Sequence, residues 1–512
     1  MKLKYLFLYG LLLAFTSCSL NYNPIDAYSS VTIGVDSLGN AAILKDKAAV
    51  LNQRQILYNI VRDGQEYWWL DLLLLAESHS DNAYAGSPSA ETTPFEVNSI
   101  SSSNPDLSRD FSGYMSDVSS ANILICNIDS VNDPTLTAAE REQYKAEGKI
   151  FRAMVYFEMA RIWGNVPLVT NSVTVNITSE NLPSLYPTLY PPQTDEKTVY
   201  QQIEKDLLEA LVSAPDNNPS DKTVFSKSVA RALLAKVYAE KPLQDYSKVI
   251  QYCDELTADG FGLVSDYSDL FGVKLQDPNS PPGPNNQAID AQARNTKESI
   301  LEAQYFTGSG NWATWMFGRQ LDNWNFYFTW AKWITPSRDL IAAFQSENDT
   351  KRLNESVVYY PCSWNIYYPS DNYPFMYKCR SGLNNIIRYR YADILLLKAE
   401  ALILGNGDLN GAAAIINQIR ARVGLNPLPV SVTGSKDAMV NALLKERRLE
   451  LAFEGQRWFD LVRLGKVESV LNNVKDSGRP ALLYPYTQYS YKLPIPQDAL
   501  DQNPNLVQNP GY

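Results

Sequence analysis

Residues 388–424 read RYRYADILLLKAEALILGNGDLNGAAAIINQIRARVG. Two apolar runs at helical spacing, Arg388–Leu404 and Leu409–Val423, flank a Gly-Asn-Gly turn. The first run carries the small residues Ala399 and Ala401, and the second carries Ala412 and Ala413 ahead of Ile416. Small residues at these places let two helices lie close together. The glycines of the turn, Gly405 and Gly407, supply positive φ angles. The stretch therefore predicts an antiparallel helix pair.

The same organisation recurs outward in both directions. Ser226–Glu240 and Tyr246–Ala258 form a second pair, with Ala232, Ala235 and Tyr238 answering Val249, Ile250 and Leu256. Arg141–Trp163 and Glu196–Ser213 form another, with apolar residues at Ile150, Met154 and Phe157, then at Val199, Ile203, Leu207 and Leu211. Lys436–Glu454 and Gln456–Val470 form the last. Repeated helix pairs imply a repeat architecture, and the unit resembles a tetratricopeptide repeat. The predicted fold class is all-α: a tetratricopeptide-like helical scaffold interrupted by a large irregular insertion. That insertion, residues 260–385, is rich in Pro, Gly, Asn and aromatics and holds Trp312, Trp315, Trp324, Trp330, Trp333 and Trp364. An irregular stretch of this length is usually functional.

Composition narrows the chemistry. The 512 residues carry 45 Lys and Arg against 56 Asp and Glu, a net charge of −11. Phosphate binding needs a basic face, so nucleic acid is not the expected ligand. Adhesion to anionic lipid by charge is disfavoured for the same reason. The single histidine, His79, precludes a histidine-based metal site, and any nucleophile–histidine pair has to use it. No metal and no cofactor is expected, and no catalytic residue is assigned. Of five cysteines, Cys126, Cys253, Cys362 and Cys379 show neither a CxxC pair nor a zinc spacing. A Cys362–Cys379 disulfide and buried free thiols both remain open.

The chain begins with Lys2-Leu3-Lys4, an apolar run from Tyr5 to Phe15, then Thr16-Ser17-Cys18. A basic segment, a short apolar run and small residues at a cleavage point make a secretory signal over residues 1–17. The apolar run is about half the length needed to span a bilayer. Cys18 at this position resembles the lipid-attachment cysteine of bacterial lipoproteins, and acyl chains hold a protein to a membrane without a transmembrane helix. Residues 18–40 then read as a lipidated tether. The remainder divides into a helical region at 41–259, the aromatic-rich insertion at 260–385 and a second helical region at 386–512.

Three further features belong together. Residues 445–463 read KERRLELAFEGQRWFDLVR; Gly148–Tyr156 precedes Arg161-x-Trp163-Gly164-x-Val166-Pro167; and Leu493-Pro494-Ile495-Pro496 precedes Pro510-Gly511-Tyr512. With residues 388–424 and Cys18, these resemble the SusD/RagB family of outer-membrane lipoproteins over nearly the whole mature chain. The resemblance implies four tetratricopeptide-like units. It also implies an extracellular position on the cell outer membrane, a SusC-like TonB-dependent transporter as partner, and capture of a glycan for import. A nutrient peptide as ligand, or a purely architectural adaptor, are the alternatives. The charges of the 445–463 motif sit at helical three- and four-residue spacings, which predicts ion-pair scaffolding; buried charges have to be paired. In the family, ligand contacts come from a loop after the early helices and from the insertion. Sugars present apolar C–H faces and hydroxyls, which aromatic rings and amides match. Asn82, Tyr84, Trp312, Trp315 and Trp324 are the candidate glycan contacts on that basis, while Trp68 and Trp69 are expected in the core.

Overall fold

The computed structural model describes residues 44–86, 88–172, 175–280, 285–312, 333–362 and 365–512. Cys18, Trp315, Trp324, Trp330 and Trp364 lie outside these residues.

The first helix, α1 (Lys47–Asp63), starts where the Asp46 carboxylate accepts from the Ala49 N–H. It leads into residues 66–78, buried from Trp68 onward and wound with π-helical turns at Glu66–Leu70 and Leu74–Ser78. A short strand, β1 (Ala83–Ala85), follows. Helix α2 (Pro105–Asn127) opens on Asn104, whose side chain accepts from the N–H groups of Asp106 and Leu107, with Pro105 in the first turn. Four pairs of touching helices then appear where the sequence places them. The first is α3 (Ala138–Trp163) with α4 (Glu196–Ser213), and the second α5 (Lys227–Ala239) with α6 (Tyr246–Ala258). After the insertion come α7 (Tyr391–Ala401) with α8 (Leu409–Arg422), and α9 (Lys436–Glu450) with α10 (Arg457–Arg463).

The differences from the expected bounds have local causes. Helix α3 begins three residues early, because Thr137 and Glu140 form a reciprocal capping box. Helix α7 begins at Tyr391 and not Arg388, because Ile386–Arg390 is a strand paired antiparallel with Ser299–Ala303. The expected helix Lys436–Glu454 stops at Glu450, ahead of Phe453 and Gly455 at φ +61° and +72°. The expected helix Gln456–Val470 is cut at Gly465, where φ is +63°. In the opening turn only Gly407 has positive φ, at +74°. Gly405 serves a different need: a Cβ there would lie 2.7 Å from Cβ of Tyr246 on α6. That glycine is the point of close approach between the second and third helix pairs.

The main hydrophobic core runs from Leu44 to Leu506, with small separate clusters around Tyr267 and Phe271 and around Tyr373 and Phe375. The centre of the main core is the second half of α3, where every residue from Ile150 to Trp163 is buried. The insertion joins the same core through Ile300, Leu301, Ile334, Leu340 and Phe344. Trp68 and Trp69 are buried in it, as expected from their apolar run. No described helix is long and apolar enough to cross a membrane.

Candidate functional site

Strand β1 pairs antiparallel with Ile334–Pro336, in the register Ala83↔Pro336, Tyr84↔Thr335 and Ala85↔Ile334. The early loop and the far end of the tryptophan-rich segment, remote in sequence, are thus fastened to each other. Within this frame two expected contacts need correction. Asn82 is fully buried; its Nδ2 donates to Glu77 Oε2 (2.7 Å) and its Oδ1 accepts from Arg448 Nε (2.8 Å). Both ends of the amide are held by protein, so it braces the frame and presents nothing to solvent. The Tyr84 ring is buried against Tyr367, with centroids 4.5 Å apart and planes at 19°. Its hydroxyl donates to Asp476 Oδ2 (2.6 Å) and accepts from the Arg338 N–H (3.0 Å). Burial pushes this phenol up, and the Asp476 carboxylate adds to that against the opposing Arg338 N–H. It stays a neutral brace.

What reaches the surface here is the layer outside Tyr84. Tyr367 and Tyr368 are half-buried, and both hydroxyls are pinned: Tyr367 Oη donates to the Ala85 carbonyl (2.7 Å) and Tyr368 Oη to the Pro336 carbonyl (2.8 Å). The Arg338 guanidinium lies 4.2 Å from the Tyr368 ring centroid. Ile366 and Tyr359 are exposed on the same insertion. Rings whose hydroxyls are tied down offer fixed faces, which is what stacking against a sugar ring requires. The sequence signal for Tyr367 and Tyr368 is no more than a Tyr-Tyr pair within the aromatic-rich insertion.

At the near end of the same segment, Trp312 is 46% exposed, whereas Trp68, Trp69, Trp163 and Trp458 are buried. Its backbone N–H donates to Gln65 Oε1 (2.7 Å), and Gln65 Nε2 donates to the Gly310 carbonyl (3.2 Å). Asn311 is buried beside it, its Nδ2 donating to the Ser381 and Asn384 carbonyls. Trp312 and the Tyr367–Tyr368 layer therefore stand at the two ends of residues 313–332.

The motif charges are paired, some of them, such as Arg448 and Arg457, directly beneath this frame. Arg390 reaches Glu298 (2.8 Å), Glu450 (2.7 Å) and Glu454 (2.6 Å); Arg352 reaches Glu446 (2.7 Å) and Glu450 (3.1 Å). Burial alone would raise the Glu450 carboxyl, but Arg422, Arg390 and Arg352 outweigh it and hold the group well below its ordinary range. Arg457 and Arg448 do the same for Asp81, at 2.7 and 3.3 Å. Glu77 has no such partner close by, and burial raises it to about 7.

His79 is sealed inside, its ring 4.2 Å from that of Trp458. Nδ1 lies 2.7 Å from the Phe95 carbonyl, which can only accept, so Nδ1 carries the proton. Burial lowers the imidazole to about 4. Cys126 is an exposed thiol and Cys253 a buried one, and no disulfide joins Cys362 to Cys379, so the expected alternatives resolve against that bond. Among the described residues no group of His, Cys, Asp or Glu is placed to hold a metal ion.

Helix pairs bracketing an aromatic-rich insertion, with charges locked in the core, define a helical-repeat binding scaffold. Residues 46–239 match a family described as starch-binding and associating with the outer membrane, and residues 324–512 match the SusD family. The chain belongs to the SusD/RagB family. It is 26% identical over 487 residues to SusD-like protein P2 of Formosa agariphila, covering 88% of this chain and 89% of that one. A laminarin-binding SusD-like protein of known structure is 24% identical, with a TM-score of 0.65 over 92% of this chain and all of that one. Surface glycan-binding protein A from Bacteroides thetaiotaomicron, solved with laminarihexaose, is 20% identical with a TM-score of 0.67, over 91% of this chain and all of that one. These two likenesses speak for the fold.

Proposed function

We propose that this protein is a lipid-anchored receptor on the outer membrane that captures an oligosaccharide and passes it to a SusC-like TonB-dependent transporter. The observation that carries the reading is the frame around residues 313–332. Exposed Trp312 stands just before these residues and the pinned Tyr367–Tyr368 layer against the strand just after them, and Trp315 and Trp324 fall between in sequence. The family's outer-membrane, starch-binding description and the glycan-binding titles of its relatives support it. The protein acts by binding and not by catalysis: the motif carboxylates are held by guanidinium groups, and the one imidazole is enclosed. Cys18 supplies the anchor, and Trp312, Trp315 and Trp324 the platforms.

Affinity electrophoresis and titration calorimetry against laminarin, starch, xylan, mannan and peptide pools test the ligand. Retention by at least one glycan, weakened at least tenfold in Trp312→Ala, is expected. Binding of peptides with every glycan inert overturns the reading. Cys18→Ala is expected to move the protein from the membrane to the soluble fraction.

A further inference from the structure

A sizeable cleft lies away from the tyrosine layer. It opens between α1 and the 221–225 loop, with Ser299–Ala303 as its back wall, and encloses about 500 Å³. That is within the range of small-molecule clefts, about 300–1,000 Å³. Its floor is rigid. Glu147, fully buried, accepts from Arg54 Nη2 (3.1 Å), the Tyr58 hydroxyl (2.8 Å) and Gln143 Nε2 (2.9 Å). The Tyr58 and Phe225 rings stack at 4.2 Å. On the other wall buried Glu302 accepts from the Asn295 N–H (3.0 Å), Gln304 Nε2 (3.0 Å) and Asn385 Nδ2 (2.7 Å).

The charges of the lining ask for no ion. Arg54 is matched by Glu147, Arg62 by Asp63 at 2.7 Å, and Arg294 by Asp290 at 3.0 Å. The Asp221 carboxylate is turned to the Thr223 N–H (3.0 Å) and hydroxyl (2.6 Å), and the other groups that remain available are neutral. Gln55 Nε2 donates to Asn59 Oδ1 (3.0 Å), which leaves the Gln55 carbonyl oxygen and the Asn59 amide nitrogen for a ligand. Gln304 gives its Nε2 to Asn295 Oδ1 (2.7 Å) and Glu302, which leaves its Oε1. One donor and two acceptors, on amides fixed by protein bonds, suit hydroxyl groups, which both give and take. On the rim stands the Phe306 ring, 53% exposed. It is displayed on a tight turn closed by the Phe306–Ser309 bridge, with Gly308 at φ +91°.

That turn leads directly to Trp312, six positions along. Even fully extended, six residues reach roughly 20 Å, so a chain of a few sugar units held at Trp312 comes within reach of Phe306. We infer that this cleft is a second saccharide subsite, which takes a further stretch of the same neutral oligosaccharide that the aromatic segment holds. The inference rests on the glycan-binding reading above and extends it to a second, separate wall of the molecule.

The test uses the full mature chain and neutral hexasaccharides of the laminari-, malto-, xylo-, manno- and cello- series. Hydrogen–deuterium exchange on the hexasaccharide bound best is expected to protect 54–62 and 302–306. The exposed variant Phe306→Ala is expected to weaken it at least fivefold with the melting temperature unmoved, and Thr223→Trp, which fills the cleft, to weaken it by as much. Disaccharides of the same series should lose less than twofold. If the wild type binds a hexasaccharide and Trp312→Ala abolishes it, while cleft variants bind normally and 54–62 gains no protection, the inference falls and the functional reading stands. If no hexasaccharide binds the wild type, both fall.

Discussion

A chain with one histidine lets a single proton be followed through folding. The His79 imidazole is lowered to about 4 by burial, against an ordinary value of 6.5. In the window between these values the unfolded chain takes up a proton that the folded one refuses. Stability therefore falls as pH drops from about 6.5 toward 4, by up to about 3 kcal/mol from this group alone. The His79 Hε1 resonance is expected to stay fixed from pH 8 to 5.5 in the folded protein and to titrate near 6.5 in urea; a folded midpoint near 6.5 contradicts the buried site. Arg352 makes the opposite kind of prediction, because its charge is kept and its partners depend on it. Arg352→Met leaves Asp349 without its arginine and takes one from Glu446 and Glu450. Stranding buried carboxylates costs about 3–5 kcal/mol, to be read as a lower urea midpoint; a loss below about 1 kcal/mol removes the hub's importance. At this scale the sequence was informative about kind and weak about place. The spacing of Arg447, Arg448, Glu450 and Arg457 announced ion pairs. Nothing in it announced that Arg448 would reach Asn82 and take that side chain out of the candidate site.

Elements were most legible where the turn chemistry was local. The pairs α3–α4, α5–α6 and α7–α8 follow from apolar periodicity and caps written beside them. Helix α2 did not, since its serines, aspartates and asparagines favour caps and turns over helix interiors. Its Asp106, Asp110, Asp117 and Asn122 are nonetheless buried, so tertiary packing overrides propensity there. The two glycines of the opening turn give the scale its prediction. Gly405→Ala places a Cβ 2.7 Å from Tyr246 Cβ, an atom fixed to its own backbone. Helices α6 and α7 then have to separate, at a cost of about 1–3 kcal/mol. Gly407→Ala meets nothing within 4 Å, and only its φ of +74° opposes it, about 1–2 kcal/mol. Both should lower the melting temperature, but only Gly405→Ala should speed hydrogen exchange in α6. Equal exchange in the two variants removes the close-approach argument.

For the whole molecule, the divisions at residues 260 and 385 mark changes of composition, and the structure carries forces across them. Glu298, before the tryptophan-rich segment, binds Arg390 and Arg422 beyond it; Lys378 binds Glu454. The apolar core is likewise continuous, with Ile300, Leu340 and Phe344 packed into it beside the repeats. Periodicity cannot reveal such links, since a carboxylate and a guanidinium far apart in sequence carry no mutual pattern. The consequence is that the described part of the insertion is tied to the scaffold by ion pairs and by shared core. Calorimetry of the mature chain is expected to give one main unfolding transition, and Arg390→Met to lower it as a whole without splitting it. The excised 260–385 fragment should stay unfolded, because its buried Glu298, Lys378 and Arg352 would lose the partners that make their burial tolerable. Two well-separated transitions, or a folded fragment, would mean that the insertion carries its own core.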